Sequence, residues 1–121
     1  MKKPSRRSER VADVVRAELS RLLLTEAHDP ELKHVTITEV EMPPDLKSAR
    51  VFFSRLGTET ERARAAEGLA RAAGFLRREV GRRCGLRYAP ELHFQIDRSL
   101  ERGARVEELL AEVLPPPDEE P

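Results

Sequence analysis

The hydrophobic period of this chain switches from 3.6 to 2 and back, and each switch is marked by a proline or a glycine. Val11, Val15, Leu19 and Leu22 or Leu23 fall on one helical stripe, with Arg10, Asp13, Glu18 and Arg21 outside it. That helix is expected to stop near His28-Asp29-Pro30, because the residue before a proline is pushed out of the helical region. The run Val35 to Met42 is rich in β-branched residues, yet Val35 and Ile37 share one parity and Val40 and Met42 the other. A bulge near Thr38 and Glu39 reconciles them. Pro43-Pro44-Asp45 supplies a turn, and Ala49 to Leu56 reads as a second strand with Val51 and Phe53 on one face and Phe52 and Leu56 on the other.

Gly57 closes this hairpin, and Thr58 with Glu61 has the spacing of a capping box, so a second helix starts there. Its inner stripe reads as Ala63, Ala66, Leu69, Ala70 and Ala73, and Gly74 is expected to break it. A third helical piece, Phe75 to Cys84, stacks Leu76, Val80 and Cys84 on one face and ends at Gly85, which suits a left-handed cap. Clean alternation through Leu92, Phe94 and Ile96 marks a third strand. From Ser99 a closing helix is expected with Val106, Leu109, Leu110 and Val113 inward, up to the proline run at Pro115. The elements thus run αββααβ with a C-terminal helix, an α+β order in which helices cover one face of a three-stranded sheet. At 121 residues this suits one domain. Residues 1–8 read as a basic arm, 9–113 as the domain and 114–121 as a disordered acidic, proline-rich tail.

Charge is balanced only globally. The 22 basic and 22 acidic side chains cancel, but residues 1–10 carry five basics against Glu9, and the last fifteen residues carry six acids unopposed. Residues 71–88 hold six arginines against Glu79 alone, whereas a solubilising face mixes signs as residues 59–67 do. Guanidinium is planar and offers two-pronged contacts to phosphate, so Arg6, Arg7 and Arg10 in the N-terminal cluster and Arg71, Arg77, Arg78, Arg82, Arg83 and Arg87 in the second are the candidate nucleic-acid contacts, with Lys2 and Lys3 beside the first.

Material for catalysis is poor. His28, His34 and His93 stand without a Cys-x-x-Cys or His-Glu-x-x-His partner and read as surface residues. Cys84, the single cysteine, reads as a buried thiol of ordinary reactivity and rules out an internal disulfide. No phosphate loop follows a strand, and no segment resembles a signal peptide or a membrane span, so a cytoplasmic protein without cofactor, metal, small-molecule substrate or membrane partner is expected. Phe75 is expected to be turned into the core by the break at Gly74, the alternative being an exposed platform for an unpaired base.

The αββααβ order with a glycine between paired helices is that of a type II KH domain, but Ala72-Ala73-Gly74 stands where the backbone-clamping GXXG would lie. With Glu9-Arg10-Val11, Asp29-Pro30, Val35 to Val40, Pro44-Asp45-Leu46, Ala49-Arg50-Val51, Phe75-Leu76-Arg77, Leu86 to Leu92 and Asp97-Arg98-Ser99, this Ala-x-Gly substitution resembles the bacterial ribosome-binding factor A family over nearly the whole domain. The resemblance implies a non-catalytic assembly factor. Such a factor binds the free small (30S) ribosomal subunit and its 16S rRNA, assists late maturation and rRNA processing, and is monomeric when unbound. It also implies RNA contacts at Ala72, Gly74, Arg77, Arg78 and Arg82, with the N-terminal basics as auxiliaries. The rival reading is a generic protein-binding adaptor with a solvated basic surface.

Overall fold

The computed structural model describes residues 3–99. Helix α1 spans Arg6–Thr25, a 3-10 turn Pro30–Leu32, strands β1 Thr36–Glu41 and β2 Ser48–Ser54, helix α2 Glu59–Arg83 and strand β3 Glu91–Ile96. Strand β2 is central, antiparallel to β1 and parallel to β3, with α2 as the crossover. The expected closing helix beyond Ser99 and the tail lie outside the described residues.

Helix α1 begins earlier than its hydrophobic stripe indicates. The Ser5 hydroxyl accepts from the Ser8 amide at 3.1 Å while the Ser8 hydroxyl accepts from the Ser5 amide at 2.7 Å, so the two serines cap each other. Residues 6–8 therefore belong to the helix rather than to an arm. Arg6 and Arg7 lie in its first turn, where free amides add to their positive potential.

The bulge forms as expected. Ile37 pairs with Phe53 and Glu39 with Phe52, leaving Thr38 as the extra residue, so Ile37, Val40 and Met42 all reach the core. Ala49, Val51 and Phe53 of β2 complete that face, against Val15, Leu19 and Leu22 of α1 and Leu69, Leu76 and Val80 of α2. In β3 the expected alternation appears, with Leu92, Phe94 and Ile96 half-buried and His93 and Gln95 exposed. Its place at the sheet edge leaves the inward residues partly covered.

The capping box at Thr58 and Glu61 is present, but α2 then runs 25 residues without interruption, and the expected break at Gly74 does not occur. A glycine costs a helix interior only about 1 kcal/mol relative to alanine. Leu69 and Leu76, fully buried and seven residues apart, stay on one stripe only if the helix is continuous between them. The inner stripe is also corrected: Ala65, Gly68, Leu69, Leu76 and Val80 are buried, whereas Ala63, Ala66 and Ala70 are exposed. Alanine fits either side of a helix, so the leucines fix the phase. The helix ends in a Schellman motif, the Leu86 amide donating to the Gly81 carbonyl at 3.0 Å and Gly85 adopting φ 62°.

Two glycines of α2 make opposite predictions. A Cβ at Gly74 would meet only the Arg78 guanidinium, at 3.5 Å, whereas one at Gly81 would lie 3.0 Å from the Ala89 backbone. Gly74→Ala is expected to raise stability by about 0.5–1 kcal/mol. Gly81→Ala is expected to lower it by about 1 kcal/mol, crowding outweighing the gain in helix propensity. Urea unfolding midpoints at constant slope check both, and a stabilised Gly81→Ala would show that the α2–β3 connection yields freely.

Candidate nucleic-acid interface

The unbroken α2 fixes where each arginine points. At 100° per residue, Arg71, Gly74, Phe75, Arg78 and Arg82 share the face opposite Leu69, Leu76 and Val80. All five are exposed, and the stripe from Arg71 to Arg82 is about 16 Å long. Arg78 has no ion-pair partner among the described residues. Arg82 pairs with Glu79 at 2.7 Å and Arg71 with Asp29 at 2.8 Å, yet the two arginine side chains remain 68% and 57% exposed. Exposed pairs of this kind are weak and exchange readily for another anion. Arg71 also draws the Asp29 carboxyl below its ordinary range, helped by the Glu31 amide. Arg77 lies on the flank, its Nε donating to the Ala89 carbonyl at 3.2 Å.

Two sequence candidates point elsewhere. Ala72 is half-buried and packs against the core. Arg83 turns toward α1, where its guanidinium reaches Glu79 at 3.1 Å, Glu18 at 3.3 Å and Glu26 at 2.5 Å, with the side chain only 19% exposed. This arginine joins α1 to α2.

Phe75, expected in the core, is 36% exposed on the arginine face. The continuous helix explains this, since without a break nothing rotates Phe75 toward Leu76. Arg6 and Arg10 are exposed on the first turns of α1, while Arg7 meets Arg87 across a cleft of about 340 Å³ at the C-terminal end of α2. Sequence reasoning missed Lys47 beside this cleft: its ammonium lies 5.7 Å from the centroid of the Tyr88 ring, although the two residues are far apart in the chain. The parallel pairing of β2 with β3 brings them together, the Glu91 amide donating to the Lys47 carbonyl at 2.9 Å.

No group of three or more metal-binding side chains occurs among the described residues. His28, His34 and His93 are exposed as expected. Cys84 is half-buried, and burial pushes its thiol above the ordinary value, away from the nucleophilic thiolate. No helix among the described residues is long and apolar enough to cross a membrane.

Comparison with known proteins places this geometry among relatives. The family model for ribosome-binding factor A matches residues 7–110. Ribosome-binding factor A of Acetivibrio thermocellus is 48% identical over 107 residues, 88% of this chain and 87% of the relative. The solution structure of a Thermotoga maritima ribosome binding factor A superposes with TM-score 0.61 at 35% identity, over 84% of this chain and 96% of that one. Thermus thermophilus ribosome binding factor A, as a homology model fitted into the cryo-EM map of a 30S complex, matches with TM-score 0.51 at 30% identity, over 70% of this chain and 93% of that one.

Proposed function

Because the chain belongs to the ribosome-binding factor A family, we propose that it binds the free small ribosomal subunit in the cytoplasm, contacts its 16S rRNA, and assists late maturation and rRNA processing without chemistry of its own. The observation that carries this reading is the outer face of α2, where Arg71, Arg78 and Arg82 stand at helical spacing around Gly74. The Thermus relative fitted with the 30S subunit supports the choice of partner.

Such a face recognises phosphate backbone by charge and shape. The helix is not interrupted at Gly74, so no loop is offered there to clamp a single strand in the manner of GXXG. Arg71, Arg78 and Arg82 are the principal contacts, with Arg77 on the flank beside them and Arg6, Arg7, Arg10 and Arg87 as outlying ones. Ala72 contributes by letting α2 lie close on the core, and Arg83 by holding α1 against it.

Co-sedimentation with isolated small and large subunits, repeated over a range of salt, tests this. Binding to the small subunit alone is expected, with log affinity falling linearly against log salt at a slope of about −0.7 to −0.9 per phosphate contacted. Binding that is indifferent to salt would instead favour a protein-binding adaptor, since apolar contacts are not screened.

A further inference from the structure

Three separate segments converge beside Tyr88. The first turn of α1 supplies Arg7, the β1–β2 turn supplies Pro44, Asp45 and Leu46, and the segment after α2 supplies Leu86, Arg87 and Tyr88. A tyrosine recruited for packing would be covered, but Tyr88 as a residue is 53% exposed. Cations flank it, the Lys47 ammonium at 5.7 Å and the Arg87 guanidinium at 5.4 Å from its centroid, both within cation–π range. The single acid among the described residues of the cleft is already engaged, Asp45 Oδ1 accepting from the Lys47 amide at 3.0 Å. Leu46 between them adopts φ 60°, a left-handed conformation that costs a leucine energy. The turn carrying Lys47 is thus held in a strained shape next to the ring.

A flat aromatic face with several cations within a side chain's length meets the two needs of one unpaired nucleotide, a surface for the base and charge for the phosphate. The cleft, about 340 Å³, is within the range of small-ligand sites. We propose that it holds a single unpaired nucleotide, the base stacked on Tyr88 in place of one flanking cation and the phosphate taken by Lys47, Arg87 and Arg7. This rests on the RNA-binding reading and adds to it a subsite that senses a base rather than backbone alone.

The chain offers its own probe, because Tyr88 is its single tyrosine and it has no tryptophan. The full chain is titrated with single-stranded heptaadenylate and with an abasic ribose-phosphate heptamer, following tyrosine emission. Quenching by heptaadenylate and not by the abasic polymer is expected. Read instead by the anisotropy of fluorescein-labelled heptaadenylate, which does not depend on the tyrosine, Tyr88→Ala should weaken binding about tenfold, and Tyr88→Phe, which keeps the stacking face, should retain it. Equal quenching by both polymers, no binding of heptaadenylate, or unchanged affinity in a folded Tyr88→Ala chain would overturn the subsite. Small-subunit binding that stays salt-dependent in that variant would leave the arginine face standing, whereas a native chain that fails to sediment with small subunits would remove the RNA reading itself.

Discussion

Replacing Arg78 and Arg82 with glutamate is expected to weaken small-subunit binding by about a hundredfold or more, through lost charge-assisted hydrogen bonds and added repulsion. These two residues are chosen because the fold makes little use of them. Arg78 has no ion-pair partner among the described residues, and Arg82 loses only its exposed pair with Glu79. Arg77 is a poorer choice, since its bond to the Ala89 carbonyl mixes structure with binding. The double variant should unfold within a few degrees of the native chain, because exposed ion pairs contribute little. Equilibrium sedimentation at fixed salt, paired with a thermal melt, checks both halves. Native affinity in a folded double variant would move the RNA contact off the outer face of α2.

Gly74 lies on the same face as these two arginines. A family resemblance suggests a break there, while the helix passes through it and leaves open space above its Cα apart from Arg78. If phosphate approaches the backbone at that gap, Gly74→Ala should stabilise the free chain and weaken binding together. That pairing of signs is not produced by a purely structural glycine.

Much of the fold could be read from the chain because its signals were local and strong. The capping box at Thr58 and Glu61, the left-handed Gly85 and the bulge forced by the parity change between Ile37 and Val40 each depend on a few neighbouring residues. Errors arose where local signals were weak. Alanines give α2 no phase of its own, so its buried side is fixed only by Leu69 and Leu76 sharing one stripe. Serine at position 8, in the place where glutamate more often completes a capping box, hid the start of α1. Of the candidate site, the arginine face followed from helical spacing. The pairing of Arg83 with α1 and of Lys47 with Tyr88 did not, because both depend on tertiary contacts that no sequence period encodes.

Arg83→Met is expected to lower the unfolding midpoint by several degrees at neutral pH, and Arg83→Glu by more, because the second adds a fourth carboxylate to Glu18, Glu26 and Glu79. Methionine keeps the apolar stem, so its effect isolates the charge. The clamp also has a pH signature. Hydrogen bonds from Arg21 and then Arg83 hold the Glu18 carboxyl below the ordinary range, and bonds from Arg82 and then Arg83 do the same for Glu79. A carboxylate whose value is depressed by folding stabilises the native state above its unfolded value, near 4.3, and loses that contribution as the pH falls through the folded value. The gap between native and Arg83→Met chains should therefore be full at pH 7 and shrink steadily below about pH 4. An equal gap at pH 7 and pH 3 would mean that packing, not charge, joins the helices. Subunit binding supplies the remaining discriminator. An Arg83 committed to α1 leaves the salt slope of the folded Arg83→Met chain unchanged, whereas a slope smaller by about one would return Arg83 to the RNA-contacting residues.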